Sequence, residues 1–307
     1  AFLAVYCVKD AWLSMKLLER FGIVDLYVNL ANLTSLDLSP ICKGGQGIRT
    51  YSLLYRKCKG KYFLPKTGKK DGKTYEGATM ISKAGIYRTP VICTDFASLY
   101  PSVIIAHNMC YSTIQDDGSF TTSREGIFPM FLNELLSERK NVKNQMKQVT
   151  GWKKNQLNAK QKAIKLICNA SYGFFAGYYI YNERLAGAVT QKGRFYRQKA
   201  QEILEDKFNC TTVYSHTDSV YVCLSEDISI EESHLLGNQM AQCVTEAINV
   251  PSIQLEYENT YRPLLVVKKG QSAGMFYEPN ESPKKVIKGL KSMRSDTVPV
   301  AKNLQEK

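Results

Sequence analysis

The chain has 307 residues, 44% of them hydrophobic, and a net charge of +13 from 41 Lys and Arg against 28 Asp and Glu. That is long enough for two ordinary domains and apolar enough for packed cores, which excludes a disordered polyelectrolyte. The excess charge points to a polyanion. Because no apolar run nears the roughly 20 residues that span a bilayer, and no secretory leader pattern opens the chain, nucleic acid is favoured over a membrane surface.

In chain order, AFLAVYCVKDAWLSMKLLERFGI reads as one helix in mid-course, with Leu13, Met15, Leu17, Leu18 and Phe21 at helical spacing, and helix is predicted to about residue 35. It lacks an initiator Met and the chain closes on the polar NLQEK, so a piece of a larger protein is expected. A loop, SPICKGGQG, leads to a second helix from Gly47 to Cys58, and residues 59–89, rich in Lys and Gly, read as loop with short strands. TPVICTDFASLY is a buried strand followed by a turn. A long helix is predicted over 125–150, starting after GIFP and broken by TGWKKN, and 157–208 reads as mostly helical with Gly173 and Gly177 as punctuation. TTVYSHTDSVYVCL, residues 211–224, gives two strands around a tight turn that carries His216, Thr217 and Asp218. A helix over 233–248 follows, then strands SIQLEYENTY and RPLLVVKKG, and there is no repeat or low-complexity tract.

The nine cysteines are odd in number and form no CxxC pair, and there are only three histidines. They read as reduced intracellular thiols, mostly core fillers, with no zinc site.

From Arg139 to Asn182 there is no Asp or Glu, but nine Lys or Arg. Arg139 and Lys143 share a helix face, as do Lys165, Asn169 and Tyr172. A solvated helix normally mixes signs. This run is therefore either a basic exposed face or a cradle for several phosphates. Asp95 ends the strand TPVICTDF, where it either caps the DFAS turn through its side chain or joins the turn bearing Asp218 if the two strands pair. Two carboxylates in one site recruit hard cations, of which Mg²⁺ is the natural choice beside phosphates. Two such ions about 3.5–4 Å apart clamp the attacking and leaving oxygens of a phosphoryl transfer.

DFASLYPS (95–102), KLICNASYG (165–173) and YSHTDS (214–219) resemble, in order, the three polymerase motifs of family B DNA polymerases. YCVKD (6–10) resembles the last motif of the 3′–5′ exonuclease domain, YEGA (75–78) the linker to the polymerase domain, and SERKNVK (137–143) the first fingers helix. KKGQSAG (268–274) and KGLKSMRSD (288–296) resemble the segments that hold the primer end and lead into the thumb.

The resemblance implies an α+β fold: an antiparallel palm sheet with packed helices, plus a two-helix antiparallel fingers hairpin. The implied parts are an exonuclease remnant (1–40), linker and N-terminal palm (41–124), fingers (125–182), C-terminal palm (183–287) and the start of the thumb (288–307). It implies template-directed DNA synthesis by two-metal nucleotidyl transfer, with Mg²⁺, or Mn²⁺, held by Asp95, Asp218 and the Phe96 carbonyl. Ser98, Leu99 and Tyr100 would meet the incoming dNTP, and the Tyr100 ring would exclude a ribose 2′-hydroxyl. Arg139, Lys143, Lys165 and Asn169 would bind its phosphates, Lys165 would also protonate the leaving pyrophosphate, and Tyr172 and Gly173 would pack on the nascent base pair. Tyr75, Gly77, Gly173, Thr217, Lys268, Lys269, Lys288 and Arg294 would contact DNA, and Tyr6 and Asp10 would belong to the exonuclease site of the parent protein. The implied partners are primer–template DNA, dNTP and a processivity factor, with no membrane, in an intracellular and most naturally nuclear setting.

The sequence departs from the family pattern in three places. His216 stands where the family has the first carboxylate of Asp-Thr-Asp, which removes one negative charge beside the metals and favours softer ions such as Mn²⁺. Ala170 lacks the hydroxyl of the usual Asn-Ser, and KKGQSAG lacks the usual Arg or Lys and then Tyr. Such drift fits a viral replicase. His216 also motivates an alternative, a catalytically weakened polymerase relative acting as a DNA-binding module. A two-metal nuclease or RNA polymerase is opposed by Tyr100 and by KLICNASYG.

Overall fold

The computed structural model describes residues 2–64, 75–177, 179–279 and 281–290. The elements in chain order begin with helices α1 (Phe2–Phe21), α2 (Ile23–Thr34), α3 (Leu38–Lys43) and α4 (Gln46–Cys58). Strands β1 (Met80–Ser82), β2 (Gly85–Tyr87) and β3 (Val91–Phe96) follow, then helices α5 (Leu99–Ala106), α6 (Ile127–Met146), α7 (Gly151–Phe175) and α8 (Glu183–Lys207). The hairpin β4 (Cys210–His216) and β5 (Ser219–Leu224), helix α9 (Ile230–Ile248) and strands β6 (Leu255–Lys268), β7 (Gln271–Tyr277) and β8 (Lys284–Lys288) complete them. Arg294 and the expected thumb segment beyond residue 290 lie outside the described residues.

Two compact units result: residues 1–75 with 107–189, and residues 76–106 with 190–307. The first is helical. Its centre is a cluster of fully buried rings contributed by both α6 and α7. Phe128 lies 6.0 Å from Phe174, 4.7 Å from Phe175 and 5.9 Å from Phe131. Burying a Phe side chain is worth about 2–3 kcal/mol, so these rings are the main tie between the two helices. Helix α7 also packs on α2 and α4. On the surface of this unit Lys160 pairs with Glu138 at 2.8 Å, and Lys57 pairs with Glu134.

The second unit is an antiparallel sheet in the order β1-β4-β5-β3-β6-β7-β8, with β2 also pairing β6. Ile92, Thr94, Val220 and Val222 are fully buried on one of its faces, and α9 packs on β6. Helix α9 starts on a capping box: the Glu232 N–H donates to Ser229 Oγ, and the Ser229 N–H donates to the Glu232 carboxylate. That reciprocal bond holds the Glu232 carboxyl below its usual range. The other face carries Cys93, Tyr221, Tyr261, Leu264 and Val266 as an apolar cluster, with Tyr214, Phe276 and Val286 packed on it. The mixed α+β architecture with an antiparallel sheet agrees with the expectation from sequence.

Several local expectations are corrected. The predicted helix to residue 35 is two helices, because Gly22 takes φ 61° between them. The expected loop SPICKGGQG is largely taken up by α3 and the start of α4, whereas the turn expected after the strand is present at Ala97–Ser98, with Ser98 at φ 52°, and Tyr100 beyond it already lies in helix α5. Helix α6 starts inside GIFP, and the break between α6 and α7 is only Lys147 to Thr150, so WKKN is helical. Gly173 lies within α7. SIQLEYENTY and RPLLVVKKG form one continuous strand, β6, whose pairing with β7 shifts between Tyr261 and Leu264. That irregularity accommodates Pro263, which has no N–H to give to a ladder.

Candidate active site

Asp95 is the next-to-last residue of β3, the central strand of its neighbourhood. On one side it faces Ser219 of β5, and on the other it faces Glu256 of β6. The next residue, Phe96, donates its N–H to the Asp218 carbonyl at 3.0 Å. The two aspartates therefore stand at the ends of adjacent hydrogen-bonded strands, which lie about 5 Å apart. Both are half-buried.

The hairpin that carries Asp218 turns tightly. Thr217 has φ 52°, and the Asp218 N–H reaches the His216 carbonyl at 2.6 Å, closing a three-residue turn. A positive φ at a β-branched residue is strained. His216 is exposed, with Nδ1 at 3.2 Å from the Thr217 hydroxyl. The Ser219 hydroxyl donates to the His216 carbonyl at 3.1 Å. Main-chain and hydroxyl bonds thus fix the turn.

Beside the turn lies a hollow of about 310 Å³ lined by Tyr214, His216, Ser219, Tyr221, Gly270, Ser272 and Lys288. Ser219 and Tyr221 sit opposite Asp95 and Cys93 in the β3–β5 register, so Asp95 shares the face that borders the hollow. Lys268 and Lys269 are exposed at the β6–β7 turn. The Gly270 N–H of that turn donates to the Tyr214 hydroxyl at 3.3 Å. Gly289, at φ 65°, packs on the same turn so closely that a Cβ would lie 2.0 Å from the Gly270 carbonyl oxygen. Burial drives the Tyr221 hydroxyl far above its usual range and pushes Tyr257 up to about 12. These phenols are neutral hydrogen-bonding groups at any working pH.

The donors present suit a hard cation. Asp95 of β3, Asp218 in the β4–β5 turn and Glu256 of β6 offer carboxylate oxygens, and like charges facing each other across β3 and β6 favour a positive ion nearby. Among the described residues no cluster of three or more His, Cys, Asp or Glu is close enough to hold a metal by itself.

Other expected residues of the second unit group around Tyr100 and Gly77. Tyr100 lies in the first turn of α5, where a Cβ on Gly193 of α8 would come 3.0 Å from its Cε1. Leu99 is buried beneath it. The Gly77 carbonyl accepts from Arg194 at 2.6 Å.

The first unit holds the basic residues. Lys165, Asn169 and Gly173 are exposed on one face of α7, and Lys143 is exposed on α6. Arg139 Nε donates to Gln161 at 3.4 Å, which ties α6 to α7. The Tyr172 and Tyr75 hydroxyls are hydrogen-bonded at 3.2 Å. Tyr6 and Asp10 sit one turn apart on α1, both exposed. Sequence reasoning missed Glu256, Ser219 and Gly193. Glu256 and Glu258 alternate in LEYEN as outward strand positions do, but their partners depend on a register that the sequence does not display.

One carboxylate thus lies next to the end of a central strand, beside a tight hairpin turn that bears a second one. The family model for DNA polymerase family B matches residues 36–124 and 115–307, and the chain belongs to that family. It is 33% identical to the DNA polymerase delta catalytic subunit of Glycine max, over 98% of this chain and 31% of the relative. It is 34% identical to that of Drosophila melanogaster over 98% and 31%, and 33% identical to that of Candida albicans over 98% and 32%. The chain thus spans about a third of the length of these relatives.

Proposed function

We propose that the chain carries the nucleotidyl-transfer centre of a replicative DNA polymerase, which adds a dNTP to a primer 3′-hydroxyl on a DNA template and releases pyrophosphate. The observation that carries this reading is the Phe96–Asp218 backbone bond, which brings the two family carboxylates to neighbouring strand ends. Asp95, Asp218 and the Phe96 carbonyl would hold two divalent cations, Mg²⁺ with Mn²⁺ tolerated, whose role is to stabilise charge on the reacting phosphate oxygens.

The chain's own groups do the rest. The Tyr100 ring, backed by Leu99 and Gly193, closes the space a 2′-hydroxyl would need. Arg139, Lys143, Lys165 and Asn169 bind the β- and γ-phosphates, and Lys165 hands a proton to the departing pyrophosphate. Ser98 meets the triphosphate through its backbone, and Tyr172 and Gly173 pack against the nascent pair. Tyr75, Gly77, Thr217, Lys268, Lys269, Lys288 and Arg294 hold the DNA backbone, which positions it without reading sequence. The parent protein adds a 3′–5′ exonuclease to which Tyr6 and Asp10 belong, works with a processivity factor, and acts in the nucleus. No helix among the described residues is long and apolar enough to cross a membrane.

His216 favours a second reading, a weakened relative that binds DNA without extending it. Primer extension on a primed template, with dNTP or NTP and Mg²⁺ or Mn²⁺, separates the two. We expect extension with dNTP alone, abolished by Asp95→Asn. DNA binding with no extension under either ion would favour the module.

A further inference from the structure

The roles above leave a row of tyrosines in the first unit unused. Tyr51 and Tyr55 stand one turn apart on α4, with ring centroids 6.4 Å apart and planes 23° from parallel. Tyr179 continues the stack, 5.2 Å from Tyr51 and 24° from parallel. Gly47, one turn before Tyr51, makes the third rung fit: a Cβ there would come 3.1 Å from Tyr179 Cε2. Tyr51 and Tyr179 are half-buried, and the ladder opens to solvent at its end, where Tyr55 is 51% exposed.

The charge around it has one sign. Residues 38–64 contain no Asp or Glu and six Lys or Arg. Arg49 is tied to the Ile41 carbonyl and to Gln46, and Lys57 to Glu134, while Lys43, Lys59 and Lys61 are exposed. The terminal Tyr55 ring, backed by Tyr51 and Tyr179, offers a π-face that any base can stack on. Flanking lysines suit a phosphate backbone. That combination suits a single strand and not a duplex, whose bases are already stacked.

We infer that Tyr55, Tyr51 and Tyr179 form a stacking platform for unpaired DNA bases, namely the single-stranded template that a polymerase has yet to copy. The inference rests on the polymerase reading for the identity of the strand. Its chemistry predicts binding that tolerates any sequence and weakens with salt.

The test is fluorescence anisotropy with the 307-residue chain, using a primer–template with a template overhang of about ten nucleotides and the matching blunt duplex. Wild type should bind the overhung DNA more tightly than the blunt one. The double variant Tyr51→Leu/Tyr55→Leu should lose about tenfold or more on the overhung DNA, since each stacked base is worth roughly fivefold to a hundredfold. It should keep its affinity for the blunt duplex, and Tyr51→Phe, which retains the ring, should behave as wild type. Unchanged affinity of the double variant for overhung DNA would overturn the platform, as would equal loss on both DNAs. Primer extension by wild type is measured alongside. Selective loss of overhang binding in a chain that extends no primer would sink the polymerase reading and leave the platform standing.

Discussion

Asp95 and Glu256 face each other across the β3–β6 pair, two carboxylates in direct cross-strand register. Like charges so placed cost about 0.2–1 kcal/mol in a sheet, and a divalent cation reverses the sign of that effect. Millimolar Mg²⁺ should therefore raise the melting temperature of the wild-type chain, because a ligand that binds only the folded state stabilises it. Asp95→Asn should melt at or slightly above the metal-free wild type and respond less to Mg²⁺. Thermal scans with and without Mg²⁺ check this, and an equal response from both proteins would refute it.

His216→Asp restores a carboxylate beside Asp218. The concentration of Mg²⁺ giving half-maximal primer extension should fall several-fold, and the advantage of Mn²⁺ over Mg²⁺ should shrink. A metal titration of both proteins provides the comparison. Identical titration curves would show that the imidazole has no bearing on metal use.

Tyr100 and Gly193 form a packed pair. Replacing Tyr100 with Ala should raise incorporation of NTP relative to dNTP by at least about tenfold, the scale on which a site of this kind rejects an added group. Gly193→Ala forces the ring to shift by a few tenths of an ångström and should alter the same ratio with little effect on stability. Competition between labelled dNTP and NTP on one template reads both.

Gly237 of α9 lies against Tyr257 so tightly that a Cβ would come 2.3 Å from the ring's Cδ2. Gly237→Ala should destabilise the second unit by about 1–3 kcal/mol through overpacking. Urea unfolding measures it. A midpoint unchanged from wild type would mean that the helix moves off the sheet freely.

His234, hydrogen-bonded to the Tyr257 hydroxyl, is held below the usual histidine range by burial, against the opposing pull of Glu231. A lowered folded-state value means that the neutral ring is preferred in the native chain. Its contribution is present above the ordinary value of 6.5 and is lost as pH falls through the folded value. Stability should therefore decline as the solution is acidified below neutrality, and less steeply in His234→Gln. Denaturant midpoints between neutral and mildly acid pH test the difference.

Much of the candidate site was legible in the sequence because its residues sit on short local motifs. Strand β3 was visible as an apolar run ending in Asp95, and the hairpin was visible as β-formers around Thr217 and Asp218. The basic face of α7 followed from the missing acids and the spacing of Lys165 and Asn169. What stayed hidden was set by tertiary partners. The turn at Ala97–Ser98 was legible, but helix α5 after it was not, because LYPSVIIA is largely apolar and shows no helical period. Glu256 looked like one of two alternating glutamates, since only the bulged β3–β6 register selects it. The long apolar helix at the start was legible as a helix, yet none of the residues Phe2–Phe21 is buried, and the periodicity of its apolar positions does not reveal that.

Asp218 is anchored through both of its own main-chain polar groups, its N–H to the His216 carbonyl and its carbonyl to the Phe96 N–H. Neither anchor consults a side chain. The residue at 216 is thus free to drift while its neighbour two places on keeps its address, so substitution at that turn can change the charge beside Asp218 without rebuilding the scaffold.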